Sequence, residues 1–140
     1  MTGLTFDTND HGLNGQYYLT GGHILPHHDV YPHSDCPKNG RRFATFMFYV
    51  DPPEEGGATI FPSVGIRVQG VPGAAILWYN TYADGSSDYG ASHAGCPIFK
   101  GRKVIGTFWT RAHGQEMRQP CPTDSMHFSG FGELRRDKLW

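Results

Sequence analysis

The feature that most constrains the fold is a strand-forming run at residues 41–50, RRFATFMFYV. Aromatic and β-branched residues dominate this run, and its apolar side chains fall on both faces instead of alternating. That distribution is typical of a central strand that is covered on both sides. The sequence DPPEEGG follows, and its Pro and Gly residues end the strand. Because helical periodicity is hard to find elsewhere, the sequence predicts a mainly β protein.

Further short strands are predicted along the chain at residues 58–61, 65–69, 74–79, 92–99 and 103–111. The last two are predicted to pair as a hairpin joined by the KGR turn. Several short strands separated by frequent turns predict a β-sandwich or jelly roll. Residues 1–16 and 122–140 are polar and poorly patterned, so we expect one domain between them.

Length and charge exclude several classes of protein. A chain of 140 residues and 15.6 kDa amounts to one domain. Its 12 basic and 13 acidic residues give a net charge of −1, so no basic excess is present to bind a nucleic acid. No apolar run approaches the roughly 20 residues of a membrane span. The first residues, MTGLTFDTNDHGLNG, also lack the basic start and apolar stretch of a signal peptide.

A candidate metal site begins with the triplet His27-His28-Asp29. In a strand, residues i and i+2 share a face, so His27 and Asp29 can converge on one ion while His28 points away. A third ligand must come from elsewhere, and His93 is the candidate. Two His and one carboxylate form the triad of non-haem Fe(II) oxygenases, which leaves positions open for dioxygen and a co-substrate. The triplet alone also fits a surface pair, a zinc site or a manganese site.

Lys103 is a second functional candidate. An iron enzyme that uses a dicarboxylate co-substrate needs a cation at the far end of its pocket, and a buried lysine head can supply it. The alternative is that Lys103 is a solvated turn charge, because it ends the basic turn KGRK. Position in the sequence alone leaves both interpretations open.

Many short sequence blocks follow one another in order between Tyr18 and Cys121. Besides Tyr18, Trp109 and the HHD triplet, these blocks are GG at 21–22, RFAT at 42–45, EGGATIFP at 55–62, LWYN at 77–80, DY at 88–89, HAGCP at 93–97, GRK at 101–103, GQE at 114–116 and PC at 120–121. Together they resemble the catalytic domain of the prolyl 4-hydroxylase α subunit. The resemblance implies an Fe(II)- and 2-oxoglutarate-dependent dioxygenase domain at residues 17–121. It also implies a double-stranded β-helix, which agrees with the predicted strands.

The resemblance further implies a role for each matching residue. The residues that would hold the iron are His27, Asp29 and His93. Those that would bind the distal carboxylate of 2-oxoglutarate are Lys103, with Tyr18 and Thr59 as hydrogen-bonding partners. Arg42 and Trp109 would line the peptide groove, and Trp109 and Arg111 are expected at the catalytic centre. Arg111 departs from the family pattern, which often has His near the keto acid of 2-oxoglutarate.

The implied reaction is 4-hydroxylation of proline in collagen-like chains, with 2-oxoglutarate and O2 converted to succinate and CO2. L-Ascorbate would keep the iron reduced, and the endoplasmic reticulum lumen is the implied compartment. Protein disulfide isomerase is the usual β subunit of animal members, although the shortness of this chain argues against that assembly. Two alternatives stay open: a non-catalytic peptide-binding remnant of the same fold, and an oxygenase of the same chemistry that acts on another substrate.

The chain has three cysteines, Cys36, Cys96 and Cys121. Cys96 and Cys121 stand at positions that resemble the disulfide pair of the family, and such a bond fits an oxidising compartment. Cys36 has no evident partner and is expected to be a free loop thiol. Family domains have further strands and a helix before the HxD strand, so those supporting elements are expected to be missing from the 26 residues that precede His27.

Overall fold

The computed structural model describes residues 4, 12–30, 40–82 and 85–113. Within these ranges the chain forms ten β-strands and two short 3-10 helices. The strands are β1 (Asn14–Tyr18), β2 (Ile24–His27), β3 (Arg42–Asp51), β4 (Glu55–Gly56), β5 (Thr59–Phe61), β6 (Ile66–Val68), β7 (Ala75–Tyr79), β8 (His93–Gly95), β9 (Ile98–Lys100) and β10 (Lys103–Arg111). The 3-10 helices are Pro62–Val64 and Tyr89–Ala91.

Two four-stranded antiparallel sheets make up the fold. The major sheet has the order β1-β10-β3-β7, and the minor sheet has the order β2-β8-β5-β6. A small third sheet pairs β4 with β9. The core cluster combines side chains of both sheets and consists of Met47, Tyr49, Phe61, Trp78, Ala91 and Ile105. These sheets confirm the predicted double-stranded β-helix, or jelly roll.

Strand β3 lies inside the major sheet, as its sequence predicts. Its inward side chains Thr45, Met47 and Tyr49 are buried, while Phe46 and Phe48 lie on the opposite face. On that face the Phe48 ring stacks on Phe108 of β10, with ring centroids 6.2 Å apart. The apolar residues on both faces of β3 therefore serve two separate packing surfaces.

Glycine is required at one position of this outer face. Gly106 pairs with Phe48 across β10 and β3, and a Cβ atom at Gly106 would lie 2.2 Å from the Phe48 ring. The absence of a side chain lets the aromatic ring lie directly over the β10 backbone.

The predicted strand at residues 92–99 is two strands, β8 and β9, with Pro97 between them. Proline has no N–H group for a sheet ladder, so the strand is interrupted there. The predicted hairpin with residues 103–111 is wrong, because β10 pairs with β1 and β3, whereas β9 pairs with β4. Gly101, at a φ of 85°, turns the chain from one sheet into another.

Strand β1 begins at Asn14, inside the segment predicted to be poorly patterned. Its sequence NGQYY carries only a weak strand signal, and antiparallel pairing with β10 stabilises it as a strand. Residues 122–140 lie outside the described part of the chain. None of the described residues belongs to a helix of the length and hydrophobicity needed to span a membrane.

Candidate metal centre

Sheet register brings the two candidate histidines together. His27 ends β2 and His93 begins β8, and these residues face each other in the antiparallel pairing of the two strands. Their ring centroids are 4.3 Å apart. Asp29 follows His27 by two residues and directs its carboxylate to the same point, so one potential ligand atom of each residue lies within 4.8 Å of the others.

Both imidazole rings present Nε2 to this cluster. The His27 Nε2 atom lies 3.7 Å from Asp29 Oδ1, and the His93 Nε2 atom lies 3.9 Å from Asp29 Oδ2. Each Nδ1 atom faces a backbone carbonyl two residues earlier, at 2.9 Å for Leu25 and 3.0 Å for Ala91. A neutral ring that donates Nδ1–H to a carbonyl keeps its lone pair on Nε2. The backbone therefore sets both rings in the tautomer that binds a metal.

His93 is the deeper of the two histidines. It packs against the rings of Trp78 and Phe61, with centroid distances of 4.7 Å and 5.6 Å. Burial lowers the pKa of His93 and outweighs the opposite influence of Asp29. The ring is therefore neutral at pH 7, which is the form that binds a metal.

Asp29 is buried and receives hydrogen bonds on one carboxylate oxygen. Thr45 Oγ1 donates to Asp29 Oδ2 at 2.7 Å, and Trp109 Nε1 donates to the same atom at 3.2 Å. Thr45 in turn accepts a hydrogen bond from Asn80 Nδ2 at 2.8 Å. Trp109, which the sequence assigns to the catalytic centre and the peptide groove, thus contacts the carboxylate directly.

Arg42 stacks on Trp109, with its guanidinium carbon 3.6 Å from the ring centroid. This is cation–π geometry, which stabilises the position of the indole ring. Because Trp109 contacts Asp29, the two residues predicted to bind substrate lie together beside the candidate ligands.

Lys103 is buried, with 5% of its surface exposed. Its Nζ atom donates to Gly57 O at 2.8 Å and lies 3.4 Å from Thr59 Oγ1. Tyr49 also donates to Thr59 Oγ1, at 2.9 Å. Neither acceptor of Lys103 is charged. Lys103 takes part in none of the ion pairs found among the described residues. This burial excludes the interpretation of Lys103 as a solvated turn charge.

Burial lowers the pKa of Lys103 to about 8 and outweighs the opposite influence of Cys96. A shift of one pKa unit corresponds to about 1.4 kcal/mol, so the buried ammonium group is held at a considerable cost. An anion placed against Nζ would relieve that cost.

The lysine and the candidate ligands line one cavity of about 560 Å³, a volume that includes its mouth into solvent. Alternate side chains of β10 form one wall, namely Lys103, Ile105, Thr107 and Trp109. Tyr18 and Thr59, the expected partners of 2-oxoglutarate, also line this cavity. Burial raises the pKa of Tyr18, so its phenol stays a hydrogen-bond donor at neutral pH, and it donates to Gln16 Oε1.

Arg111 is not among the described residues that line the cavity. Its side chain is buried elsewhere, and its Nη1 atom donates to Gly40 O at 3.2 Å. The β10–β3 register shifts between Thr110 and Arg111, so Arg111 does not continue the alternation that begins at Lys103. The catalytic role assigned to Arg111 stays a prediction that this placement does not favour.

Cys96 lines the cavity and forms no disulfide with another described residue. Cys121, its predicted partner, and Cys36 both lie outside the described residues. The predicted disulfide is therefore untested.

Sequence reasoning missed three residues of the site: Tyr49, Thr45 and Asn80. The first two share the inward face of β3, where polar groups in an otherwise apolar strand signal a specific partner. Asn80 directly follows β7, and its side chain is buried. Their contacts depend on the pairing of β3 with its neighbours, which the sequence does not specify.

Comparison with known proteins connects this geometry to a family. Residues 13–111 match the family model of the 2OG-Fe(II) oxygenase superfamily. The chain is 39% identical over 127 residues to prolyl 4-hydroxylase subunit alpha-1 of Homo sapiens, covering 86% of this chain and 23% of that protein. It is 41% identical over 108 residues to prolyl 4-hydroxylase subunit alpha-3 of Homo sapiens, covering 74% and 20%. The chain therefore spans less than a quarter of the length of these relatives.

Solved structures show the same fold. The viral collagen prolyl hydroxylase of Paramecium Bursaria Chlorella virus-1, in its 2OG complex, matches with a TM-score of 0.63 and 29% identity. That match covers 71% of this chain and 60% of the viral one. A Pseudomonas putida prolyl-4-hydroxylase matches with a TM-score of 0.51 and 19% identity, covering 79% and 55%, and supports the fold alone. By its jelly roll and its match over residues 13–111, this chain belongs to the 2OG-Fe(II) oxygenase superfamily.

Proposed function

We propose that residues 17–121 form the catalytic domain of an Fe(II)- and 2-oxoglutarate-dependent dioxygenase that hydroxylates C4 of proline in collagen-like peptides. One observation carries this proposal: a single cavity contains both the His27–Asp29–His93 cluster and the buried cation of Lys103. The His27–Asp29–His93 cluster suits a metal ion, and the Lys103 ammonium suits a carboxylate. Together they match a co-substrate with a metal-chelating end and an anionic end.

The donor set supports iron as the metal. Two imidazole nitrogens and one carboxylate oxygen form the facial triad of non-haem Fe(II) oxygenases, whereas structural zinc sites usually have four closed ligands. His27, Asp29 and His93 would hold the ion and leave positions for the co-substrate and O2. When bound, iron and 2-oxoglutarate supply the oxidising power for hydroxylation, with succinate and CO2 as co-products.

Lys103 would bind the distal carboxylate of 2-oxoglutarate. Among the described residues its ammonium group has only neutral acceptors, so a carboxylate would add a counter-charge. Thr59 accepts a hydrogen bond from Tyr49, which leaves its own proton available for a ligand oxygen. Tyr18 would turn its single phenol proton from Gln16 Oε1 to the same carboxylate. This end of the cavity would therefore select dicarboxylates.

The names of the relatives support a proline-containing substrate. Two are prolyl 4-hydroxylase subunits, and one solved neighbour is a viral collagen prolyl hydroxylase. Arg42 and Trp109 would contact the peptide beside the metal ligands. Ascorbate as the reductant, the endoplasmic reticulum lumen as the compartment, a Cys96–Cys121 bond and protein disulfide isomerase as a partner rest on the family resemblance alone.

The test is turnover by the purified full chain with Fe(II), 2-oxoglutarate, ascorbate and a Pro-Pro-Gly repeat peptide. Succinate and 4-hydroxyproline should form in equal amounts, and both should vanish in His93→Ala. Succinate without hydroxyproline would retain the oxygenase chemistry and reject the collagen-like substrate. No turnover by soluble, folded protein would overturn the proposal.

A further inference from the structure

We infer that Thr45 and Asn80 are positioning residues that orient the Asp29 carboxylate and thereby present Oδ1 as its metal-binding oxygen. This inference rests on the proposed function of the cluster as an Fe(II) site. It concerns two side chains that have no assigned role: Thr45, which contacts Asp29 and lines the cavity, and Asn80, which contacts Thr45.

The two oxygens of Asp29 have different surroundings. Among the described residues, both hydrogen-bond donors to this carboxylate, Thr45 Oγ1 and Trp109 Nε1, converge on Oδ2. A carboxylate has about four lone-pair sites, two on each oxygen. Oδ2 is therefore saturated by protein donors. Oδ1, which lies 3.7 Å from His27 Nε2, keeps its lone pairs for an ion.

Asn80 fixes the direction of the hydrogen-bond chain. Its amide Nδ2 can only donate, so Thr45 Oγ1 must accept that bond and use its single proton toward Asp29. The Asn80 backbone is anchored by N–H donation to Phe43 O at 2.8 Å and by acceptance from Asp88 N at 3.0 Å. Thr45 and Asn80 are 0% and 2% exposed, so water does not compete for the hydroxyl proton.

Loss of the Thr45 hydroxyl would free a lone pair on Oδ2. The carboxylate would then be held only by the longer Trp109 bond, and it would gain freedom to rotate or to bind through both oxygens. Removing an outer partner of a metal ligand typically weakens metal binding about 10- to 100-fold. We expect a loss in this range for Thr45→Val.

The chain offers matched control variants. Thr110 is as buried as Thr45, and its Oγ1 has no hydrogen-bond partner in the described part of the structure. Thr110→Val therefore makes the same chemical change without removing a bond to Asp29. Thr45→Ser keeps the hydroxyl group. Asn80→Leu also keeps the Thr45 hydroxyl but removes the hydrogen bond that fixes its direction.

The experiment is an anaerobic titration of each full-length apoprotein with Co(II), a spectroscopic substitute for Fe(II), followed by visible absorption. Thermal unfolding of each apoprotein reports stability separately. Thr45→Val should bind Co(II) about 10- to 100-fold more weakly, with an altered spectrum. Asn80→Leu should show a smaller loss in the same direction, and Thr45→Ser and Thr110→Val should match the wild type.

Equal Co(II) affinity and spectrum for Thr45→Val and Thr110→Val would overturn the inference while leaving the proposed function intact. If Thr45→Val does not fold, Asn80→Leu decides, and a wild-type affinity and spectrum for that variant would overturn the inference. A wild-type chain that binds no Co(II) would overturn the inference and the proposed function together.

Discussion

The two ends of the cavity differ in how their charges are satisfied. One end, the metal end, contains His27, Asp29 and His93. There, two hydrogen bonds hold the Asp29 carboxylate, and backbone carbonyls accept hydrogen bonds from both histidine rings. At the other end, Lys103 is a buried cation whose acceptors, within the described part of the chain, are both neutral. The metal end is therefore organised without a ligand, whereas an anionic ligand would stabilise the lysine end. This difference suits a resident ion at one end and an exchangeable dicarboxylate at the other.

The largest expected effect is at the metal end. Asp29→Asn keeps the shape of the side chain but removes its charge, so we expect metal affinity to fall about 1,000-fold or more and turnover to be lost. Asp51→Asn is the control, because Asp51 pairs with Arg102 at the surface. Calorimetric titration with Mn(II) measures both variants, and equal affinities would contradict the assignment of the ligands.

A substitution at the lysine end should separate stability from binding. Lys103→Met should raise the Michaelis constant for 2-oxoglutarate about 100-fold or more and leave metal affinity unchanged. The burial cost of about 3 kcal/mol is removed and two modest hydrogen bonds are lost, so apoprotein stability should rise by about 1 to 2 kcal/mol.

Denaturant unfolding and steady-state kinetics measure these two effects. Lys100→Met is the matched control, since Lys100 is exposed and pairs with Glu54. A less stable Lys103→Met protein with normal use of 2-oxoglutarate would show that the lysine serves the fold instead of the ligand.

The low pKa of Lys103, about 8, predicts a pH dependence at the same end. Above pH 8 the free protein loses the Lys103 proton, so affinity for 2-oxoglutarate should fall, approaching tenfold per pH unit. Between pH 8 and the usual lysine pKa, the unfolded chain holds more protons than the folded one, so the contribution of Lys103 to stability rises with pH. Calorimetry and unfolding between pH 7 and 10 measure both trends, which should disappear in Lys103→Met.

The smallest expected effect comes from Tyr49, which acts on the lysine end through Thr59. Tyr49→Phe removes one hydrogen bond, so the Michaelis constant for 2-oxoglutarate should rise about 3- to 10-fold. Metal affinity should not change. Tyr17→Phe, at an exposed tyrosine, is the control. A change in metal affinity without a change in the Michaelis constant would contradict the separation of the two ends.

The sequence predicted the parts of the site that depend on local spacing. The two-residue rule predicted that His27 and Asp29 converge, and they do, although β2 ends at His27 and Asp29 lies beyond the strand. Family resemblance pointed to His93 and Lys103. The central position of β3 followed from its apolar residues on both faces. The central position of β3, the clustering of the three candidate ligands and the burial of Lys103 agree with the structure. Each of these predictions used a signal contained within one short segment or within a known pattern of segments, and the roles of these residues stay predictions.

The sequence did not predict features that depend on which strands become neighbours. The KGR turn indicates a reversal but not the pairing, so a hairpin was expected where β9 and β10 in fact belong to different sheets. Because the sequence does not specify strand register, it also did not predict the hydrogen bond from Asn80 to Thr45, which joins the end of β7 to β3. The placement of Arg111 depends on a register shift that no local pattern marks.

The two ends of the cavity are proposed to bind one ligand together, and this can be measured directly. Calorimetry should measure 2-oxoglutarate binding to the full chain with and without Mn(II), and succinate, which lacks the keto acid, serves as the matched ligand. We expect Mn(II) to strengthen 2-oxoglutarate binding at least about tenfold, while succinate binding changes little. A 2-oxoglutarate affinity that is the same with and without the metal would contradict the proposal.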